Sequence, residues 1–574
     1  MSKKTQTALP AWRRYCLALI VVSVMSVLAW RAVDLHIFEH EFLQAQADAR
    51  HLRSVSLSAH RGMISDRRGR PLAVSTPVDS IVANPKQLLA SVNDTSTLAK
   101  ALGVKTSHLN RLLKKNAERE FLYLQRHVAP ADAEKVAQLN LPGINLQREY
   151  KRYYPDAEVA AHVLGFTDID DVGQEGLERA YDDWLRGQAG KKHVLKDRYG
   201  RIVEDLGYVN EPQAGNDLQL SIDRRLQYLA YRELKRAVKQ HKARSGSVVM
   251  LDVKSGEVLA MVNQPAFNPN DRSSMRGDWY RNRAVTDVFE PGSTLKPFTV
   301  AAALESGLFE ASSEIDTRPG YWRIGASTIR DTINYGVIDL PTLIQKSSNI
   351  GASKLALAIS AEQLWGALDA FGFGEVSGSG LQGESSGVLG EPWRWRDIER
   401  ATIAFGYGVA VTPLQLARAY AAIADDGVLK QVSFLKVDDA PLGKRVMSHE
   451  TVTEVRNMLT KVVLPGGTGT LAAVPGYQVA GKTGTVKKAI NGAYGDDNYL
   501  SVFAGMAPVS DPRIVTVVMV DEPSAGEYYG GKVAAPVFSA VTEGALRLLG
   551  IVPDAVSAET DSTNSSAASV DFAG

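Results

Sequence analysis

The chain has 574 residues, enough for two or three domains, and its composition of 45% hydrophobic and 22% charged residues is typical of a globular protein. Its 65 basic and 64 acidic side chains nearly cancel, so the charge gives no indication of nucleic acid binding. A single cysteine, Cys16, excludes a disulfide framework, and the ten histidines show no metal-ligand spacing; we therefore expect no metal and no other cofactor.

The N-terminal segment predicts a membrane anchor. Residues 1–14 are mostly polar and basic, and residues 15–30 are uncharged and nearly all apolar. With Trp12 in front, this run is just long enough to span a bilayer. The basic flank favours a cytoplasmic N-terminus and sends the rest of the chain outward. A cleaved signal peptide is the alternative, because Val27-Leu28-Ala29 would pass as a cleavage site.

The region between the anchor and residue 215 shows no catalytic pattern. Apolar residues at helical spacing over 35–43 predict a stalk helix. The stretch 61–73 predicts short strands and tight turns, with a local network of arginine and aspartate side chains. His162 lies in an apolar run, which is typical of a satisfied core residue rather than a base. The turn-rich stretch 211–216 predicts a domain boundary.

Beyond this boundary the pattern predicts strands, then helices, then strands. The strand-like runs are 248–251, 258–262, 499–506 and 514–520. The first two form a hairpin signature, and further helices are predicted across 340–430. This order predicts a sheet whose first and last strands come together, with a helical lobe between them. From Ala555 onward the tail has few apolar residues and is predicted to be disordered.

Ser293 is the candidate nucleophile. A proline-glycine pair precedes it and an apolar run follows Pro297, so the serine lies at or near a helix start. Residues three apart share a helix face, which brings the hydroxyl of Ser293 within hydrogen-bond reach of the amine of Lys296. The helix N-terminus adds positive potential where an acyl oxygen would develop negative charge. The same S-x-x-K spacing at 433–436 lies in a strand-like run without a breaker and serves as an internal control.

Two further motifs follow the candidate nucleophile. Ser347-Ser348-Asn349 comes after a segment that ends a predicted helix, and Lys482-Thr483-Gly484-Thr485 lies in a predicted strand. Each motif is weak alone, but S-x-x-K, S-x-N and K-T-G in this order are the catalytic set of penicillin-binding proteins and class A β-lactamases. The ordered triple therefore predicts an acyl-serine enzyme.

The residue types fit acyl transfer. A serine hydroxyl needs a base, and Lys296 can act as one only if burial or a neighbouring cation such as Lys482 keeps its amine neutral. Ser347 can relay a proton toward the leaving amine, and Asn349 can hold a substrate amide.

The strand motif supplies the substrate contacts. Thr483 and Thr485 share a face as hydroxyl donors for a substrate carboxylate. Gly484 leaves room for a peptide backbone along the strand edge. The predicted oxyanion hole consists of the backbone N–H groups of Ser293 and Thr485.

These motifs resemble the class B penicillin-binding proteins, which are membrane-anchored D,D-transpeptidases of peptidoglycan. Residues 61–73 are similar to the family's R-G-x-I-x-D-R-x-G-x-x-L-A box, and residues 528–538 to its C-terminal signature. Residues 162–165 and 173–178 resemble its pedestal motifs. No paired acids of a glycosyltransferase occur in 61–215, which favours class B over the bifunctional class A. Within class B the chain looks most like the cell-division members, penicillin-binding protein 3.

The resemblance implies an α/β (α+β) penicillin-recognising fold, an antiparallel sheet with helices plus a helical lobe. It also implies a non-catalytic pedestal that binds partners. The expected segments are a cytoplasmic tail (1–14), a transmembrane anchor (15–30), a stalk and pedestal or dimerisation domain (31–215), a transpeptidase domain (216–548) and a disordered tail (549–574).

The function implied by the resemblance is crosslinking of stem peptides that end in D-Ala-D-Ala, at the division septum, by a single-pass inner-membrane protein with a periplasmic catalytic domain. β-Lactams would acylate the same serine, and a polytopic glycan-polymerising glycosyltransferase and other division proteins would be partners. An elongation-type or accessory class B enzyme would share all three motifs. A β-lactamase or β-lactam sensor and a non-catalytic divisome scaffold are competing interpretations, although no glutamate for deacylation can be assigned.

Overall fold

The computed structural model describes residues 11–41, 52–196, 202–271, 273, 276–490 and 493–555. Most of the predicted cytoplasmic tail and of the predicted disordered tail lies outside these residues, as do the last positions of the predicted stalk helix. The first described element is a helix, Ala11–Val33, which contains the predicted span and continues in a π-helical turn, Asp34–Phe38. It is long and apolar enough to cross a membrane.

Nineteen strands lie within the described residues. They are β1 Leu52–Leu57, β2 Ile64–Ser65, β3 Pro71–Ala83, β4 Leu122–Val128, β5 Ile144–Tyr153, β6 Gly190–Lys196, β7 Ile202–Asn210, β8 Leu218–Gln219, β9 Ser245–Asp252, β10 Val258–Gln264, β11 Ile315–Asp316, β12 Tyr321–Ile324, β13 Ser327–Arg330, β14 Val337–Ile338, β15 Val428–Leu429, β16 Lys444–Arg445, β17 Ala480–Ile490, β18 Ala493–Ala507 and β19 Ile514–Asp521.

The helices of the described chain begin with the N-terminal one, α1. The others are α2 Pro85–Ser91, α3 Ser96–Ala101, α4 Thr106–Lys115, α5 Pro130–Ala137, α6 Ala161–Leu164, α7 Gly176–Ala180, α8 Asp182–Leu185, α9 Arg224–Gln240, α10 Arg283–Thr286, α11 Lys296–Glu305, α12 Leu340–Lys346, α13 Asn349–Ala358, α14 Ala361–Ala370, α15 Asp397–Ile403, α16 Pro413–Ala424, α17 His449–Thr460 and α18 Gly530–Leu549. Short 3₁₀ turns span Gly292–Leu295, Pro392–Arg394 and Thr470–Ala472.

The chain divides into two compact units. The first comprises the described parts of Met1–His60, Pro77–Tyr150 and Gly187–Ala214, and the second those of Arg61–Thr76, Lys151–Arg186 and Gly215–Gly574. In the first unit, β1, β6 and β7 form an antiparallel sheet, and helices α2 to α5 enclose a small apolar core around Leu88, Leu98 and Leu113. The domain limits expected from the sequence stay predictions.

The main sheet of the second unit has five antiparallel strands in the order β10-β9-β19-β18-β17. The predicted hairpin is therefore confirmed, and so is the pairing of the first strand, β9, with the last, β19. Side chains of β9 alternate between two cores: Val249 packs on the lobe side and Val248 against α9 and α18. Because both faces are covered, these strands read as continuous apolar runs.

Helix α11 lies at the centre of the helical lobe. Phe298 is fully buried, and its ring meets the rings of Phe371, Phe373 and Tyr420 edge to face at centroid distances of 4.8, 5.0 and 5.5 Å. The Tyr420 hydroxyl donates to the carbonyl oxygen of Thr294 at 2.9 Å. This packing fixes the start of α11 relative to α16.

Two arginines of the 61–73 stretch, Arg61 and Arg67, pair with acidic residues far along the chain. Buried Arg61 donates from Nε to Glu178 at 2.7 Å and from Nη1 to Asp182 at 2.7 Å. Glu178 is itself fully buried and also accepts from Nε of Arg152 at 2.6 Å. The expectation of a local arginine and aspartate network was wrong at Arg61, because the fold brings in partners from the 173–185 region. His162 is buried and its Nε2 contacts the Trp279 carbonyl oxygen at 2.8 Å, which confirms it as a satisfied core residue.

Candidate active site

Ser293 lies in the 3₁₀ turn that leads directly into α11. The proline-glycine pair before Ser293 interrupts the regular backbone as the sequence predicts, because Gly292 has φ 54°, a conformation that favours glycine. The Thr294 hydroxyl donates to the Pro291 carbonyl oxygen at 2.6 Å and closes the turn. Ser293 is half-buried, whereas its neighbours Thr294 and Lys296 are fully buried. Ser293 is thus the partly accessible residue of an otherwise buried segment.

Lys296 joins the first motif to the second. Its Nζ donates to the backbone oxygen of Ser347 at 2.5 Å and to Oδ1 of Asn349 at 2.8 Å, and lies 3.1 Å from Oγ of Ser347. Among the described residues, no hydrogen bond joins Nζ of Lys296 to Ser293. The sequence predicts that this amine and the Ser293 hydroxyl meet within hydrogen-bond reach, but the amine bonds to the S-x-N motif instead.

Lys482 brings the third motif to the same point. Its Nζ lies 3.0 Å from Oγ of Ser347 and 3.2 Å from the backbone oxygen of Thr483. The hydroxyl of Ser347 therefore lies between two amines, those of Lys296 and Lys482. This arrangement can pass a proton from one nitrogen to another group through a single hydroxyl.

Burial lowers the pKa of both lysines. Lys482 is fully buried, and desolvation lowers its pKa to about 7. Desolvation lowers the pKa of Lys296 well below its usual range, and the neighbouring charge of Lys482 lowers it further, while Asp331 opposes the shift. A neutral amine at Lys296 is the form that can accept a proton from a serine hydroxyl.

The backbone of the S-x-N motif is strained at Ser347, and hydrogen bonds to an aspartate hold the motif in place. Ser347 has φ 62° and ψ 42°, a left-handed conformation that costs a residue with a side chain about 1 kcal/mol. The Asp331 carboxylate accepts from the hydroxyl of Ser348 and the backbone N–H of Asn349 at 2.5 Å each, and from the N–H of Ile350 at 3.1 Å. Asp331 therefore closes the N-terminus of α13 and fixes Asn349.

The K-T-G motif lies on β17, the edge strand of the main sheet. Oγ1 of Thr485 accepts from the backbone N–H of Gly530 at 2.9 Å, so its own hydroxyl hydrogen points elsewhere and can serve a ligand. Oγ1 of Thr483 lies 2.7 Å from Oγ1 of Thr468. These contacts orient both threonine hydroxyls on one face of the strand.

Two glycines allow β17 to approach the Ser293 turn. A Cβ atom on Gly484 would lie 3.1 Å from the Pro291 carbonyl oxygen, and one on Gly292 would lie 2.4 Å from Cγ2 of Val486. The close approach places residues 484–486 beside residues 291–294. Gly484 thus serves the packing of strand against turn, a role in addition to the backbone room expected from the sequence.

Sequence reasoning did not find Asp331 or Thr468. Asp331 follows the β12–β13 hairpin and Thr468 lies in a glycine-rich turn, and no motif marks either residue. The internal control behaves as expected: the Ser433 hydroxyl donates to the Leu435 carbonyl oxygen at 2.7 Å, a local contact within its own strand-like segment. S-x-x-K spacing alone therefore does not assemble such a site.

Comparisons with known proteins cover both halves of the chain. Residues 246–543 match the model described as penicillin binding protein transpeptidase domain, and residues 56–220 match penicillin-binding protein dimerisation domain. The chain is 46% identical over 551 residues to the peptidoglycan D,D-transpeptidase FtsI of Escherichia coli K12, covering 95% of this chain and 93% of that protein.

Two further relatives extend the comparison. The chain is 42% identical over 545 residues to the probable peptidoglycan D,D-transpeptidase PbpC of Pseudomonas aeruginosa, covering 94% of this chain and 96% of that protein. The solved transpeptidase domain of Burkholderia pseudomallei penicillin-binding protein 3 is similar with a TM-score of 0.55 and 43% identity, over 58% of this chain and 97% of that one.

Proposed function

This chain belongs to the class B penicillin-binding proteins and is a peptidoglycan D,D-transpeptidase, and from that premise we propose that Ser293 is its nucleophile. The observation that carries the proposal is the hydrogen-bonded cluster of Lys296, Ser347, Asn349 and Lys482, whose Lys296 begins the helix that the Ser293 turn leads into. Its members come from all three motifs, so the fold brings together residues that lie far apart in the sequence.

Acylation begins when the neutral amine of Lys296 takes the proton of the Ser293 hydroxyl. The serine oxygen attacks the carbonyl carbon between the last two D-alanines, and the backbone N–H groups of Ser293 and Thr485 stabilise the oxyanion. The C–N bond then breaks, and the hydroxyl of Ser347 passes a proton from the lysines to the departing amine of D-alanine. An ester between Ser293 and the shortened stem peptide remains.

The acyl group then passes to an amine of a neighbouring stem peptide. The acceptor nitrogen attacks the ester carbonyl, its proton leaves through the same hydroxyl and amines, and the Ser293 oxygen regains a proton. An amide crosslink forms and the free enzyme returns.

Substrate recognition follows from the face of β17. The terminal carboxylate of the stem peptide accepts hydrogen bonds from the hydroxyls of Thr483 and Thr485 and is attracted by the charge of Lys482. Asn349 holds a substrate amide. A β-lactam offers the same amide and carboxylate, and it leaves an acyl group on Ser293.

We assign the cellular role to the division septum of a bacterial inner membrane, with the N-terminus cytoplasmic and the second unit periplasmic. Support comes from the 46% identity to FtsI of E. coli and from the apolar helix Ala11–Val33 with basic residues at its start. A glycan-polymerising glycosyltransferase and other division proteins are the proposed partners. Replacing residues 15–30 by an unrelated span should abolish division function while acylation survives; unimpaired division would contradict the assignment.

Exchange of the terminal D-alanine tests the transfer step. The full chain in detergent is incubated with a stem pentapeptide and a labelled D-amino acid, and the product is followed by mass spectrometry. Labelled pentapeptide should accumulate with the native chain and be absent with Ser293→Ala. Hydrolysis to tetrapeptide without any exchange would refute the transferase assignment in favour of a hydrolase.

A further inference from the structure

Lys346 connects the second motif to a turn that precedes the third. It is the last residue of α12 and stands directly before Ser347, and its Nζ donates to the backbone oxygen of Gly466 at 2.8 Å. Gly466 lies between α17, which ends at Thr460, and β17, which begins at Ala480. This hydrogen bond therefore links the end of the S-x-N helix to the segment that leads into the K-T-G strand.

The turn that Lys346 contacts, residues 464–468, is mostly exposed to solvent. Leu464 is 54% exposed, and Gly466 has φ 85°, a conformation that favours glycine. Within the turn, the backbone N–H of Gly467 donates to the Leu464 carbonyl oxygen at 2.9 Å. That bond closes the turn on itself, whereas the bond from Lys346 fixes it relative to the S-x-N motif. Because an exposed turn buries little apolar surface, such hydrogen bonds contribute much to holding it in place.

The same turn carries a hydroxyl that contacts the K-T-G motif. Oγ1 of Thr468, two residues after Gly466, lies 2.7 Å from Oγ1 of Thr483. A threonine hydroxyl has one hydrogen to donate and can accept as well. With Thr468 as the donor, the hydrogen of the Thr483 hydroxyl stays available for a substrate carboxylate. The position of the 464–468 turn thus affects where the Thr483 hydroxyl points.

The charge of Lys346 is not needed to set the titration of the two buried amines. Desolvation lowers the pKa of Lys482 to about 7. Desolvation also lowers the pKa of Lys296, the charge of Lys482 lowers it further, and Asp331 opposes the shift. Replacement of Lys346 should therefore leave the pH profile of acylation in place, and any effect on the reaction should come from position.

We propose that Lys346 is a positioning residue for substrate binding: by holding the 464–468 turn, it aligns the Thr468 hydroxyl with Thr483 and so directs the Thr483 hydroxyl toward the carboxylate of the substrate. The inference rests on the proposed function of Ser293 and adds a residue outside the three motifs to it. Since Lys346 acts at the carboxylate end, its loss should slow acylation by ligands that carry a carboxylate and spare ligands that do not.

The test compares acylation of the full chain in detergent by benzylpenicillin and by its methyl ester, which lacks the carboxylate charge. Ser293 attacks the lactam carbonyl, the lactam C–N bond opens, and the ring nitrogen takes the proton, so no group leaves. Intact-mass spectrometry gives the second-order rate constant for each probe. The ratio of the two constants reports on recognition of the carboxylate.

The native chain should favour benzylpenicillin, and Lys346→Ala should lower the ratio about fivefold while the rate with the ester changes less than twofold. Lys346→Met keeps the apolar stem without the donor and should match Lys346→Ala. Lys346→Arg should restore most of the ratio, because a guanidinium can donate to the same carbonyl oxygen. Lys354→Ala is the matched control, since Nζ of Lys354 also donates to a backbone oxygen, that of Asp316 at 2.6 Å. This control should keep the native ratio.

A double variant tests the route through the turn. If Lys346 acts through Thr468, combining Lys346→Ala with Thr468→Val should lower the ratio no further than the more affected single variant. Additive losses would contradict that route and overturn the proposal.

Three results with Lys346→Ala would also overturn it. An unchanged ratio would show that the turn holds its position without Lys346. An equal fall in the rates with both probes would indicate a general loosening of the site, which thermal unfolding of the same samples would register. A displaced pH profile would assign the effect to charge. A native chain that neither probe acylates would instead refute the proposed function itself.

Discussion

Asp331 gives the most specific prediction outside the motifs. Its carboxylate accepts from the hydroxyl of Ser348 and from the N–H groups of Asn349 and Ile350, all at the first turn of α13. Asp331→Ala removes the three interactions at once. The substitution leaves Ser348, which is fully buried, without the acceptor of its hydroxyl hydrogen.

The expected cost has two parts. Buried donors left without an acceptor and a lost charge at a helix N-terminus together cost about 2–3 kcal/mol in the free energy of unfolding. Release of Asn349, which also bonds to Lys296, should slow acylation about 100-fold, because a displacement of about 1 Å in a positioning group has effects of that size.

The pH dependence separates positioning from charge. The negative charge of Asp331 raises the pKa of Lys296, so its removal destabilises the ammonium and lowers that pKa. The rising limb of the acylation profile should therefore move to lower pH, even though the maximal rate falls. A limb moved to higher pH would show that Lys296 had become harder to deprotonate and would refute the charge effect assigned to Asp331.

The assay is acylation of the full chain by benzylpenicillin, with thermal unfolding measured on the same samples. Ser360→Ala is the matched control, since Ser360 caps α14 by accepting from the N–H of Gln363 at 3.1 Å. It should lose about 1 kcal/mol of stability without change in the acylation rate. Asp331→Ala with native acylation would contradict the role assigned to Asp331.

Three further predictions follow from the buried charges and from β17. Lys482→Ala should move the rising limb of the acylation profile to higher pH, because the Lys482 charge lowers the pKa of Lys296; rates between about pH 5 and 9 measure the shift. Glu178→Gln should cost about 3–5 kcal/mol by leaving the buried charge of Arg152 without its carboxylate partner, which chemical denaturation measures. Thr485→Val should lower the acylation rate about tenfold by removing a hydroxyl donor to the substrate carboxylate, as mass spectrometry would report.

Controls make these outcomes decisive. Glu543→Gln breaks an exposed ion pair with Arg547 and should cost less than about 1 kcal/mol, so an equal loss in Glu178→Gln would contradict the importance of burial. A rising limb that stays in place in Lys482→Ala would mean that desolvation alone sets the Lys296 pKa. Thr468→Val removes the hydroxyl that bonds to Thr483. If Thr468 acts only by orienting the Thr483 hydroxyl, this variant should slow acylation less than Thr485→Val does.

Much of the second unit could be predicted because its signals are local. The apolar runs of β9, β10, β18 and β19 and the breaker before Ser293 each specify their own element, and each element forms as expected. The three motifs then identify the cluster without any knowledge of the contacts between them.

The contacts that depend on tertiary structure were not predictable. Asp331 reaches the start of α13 only because strand β13, which ends just before it, lies against that helix. Arg61 and Glu178 form their ion pair although more than a hundred residues separate them in the sequence. Helical spacing predicts that Ser293 and Lys296 share a face, yet the amine of Lys296 bonds to Ser347 and Asn349. Sequence spacing predicts which residues lie close together, but the positions of the surrounding polar groups decide which hydrogen bond forms.

The central claim is an acyl-serine formed on Ser293, and intact-mass spectrometry of the full chain with benzylpenicillin tests it most directly. Ser293→Ala is the catalytic control, and Ser433→Ala is the matched control for S-x-x-K spacing. The native chain and Ser433→Ala should gain the mass of one opened penicillin and keep it, and Ser293→Ala should gain none. An adduct that persists in Ser293→Ala, or one that is lost rapidly as hydrolysed drug accumulates, would contradict the account.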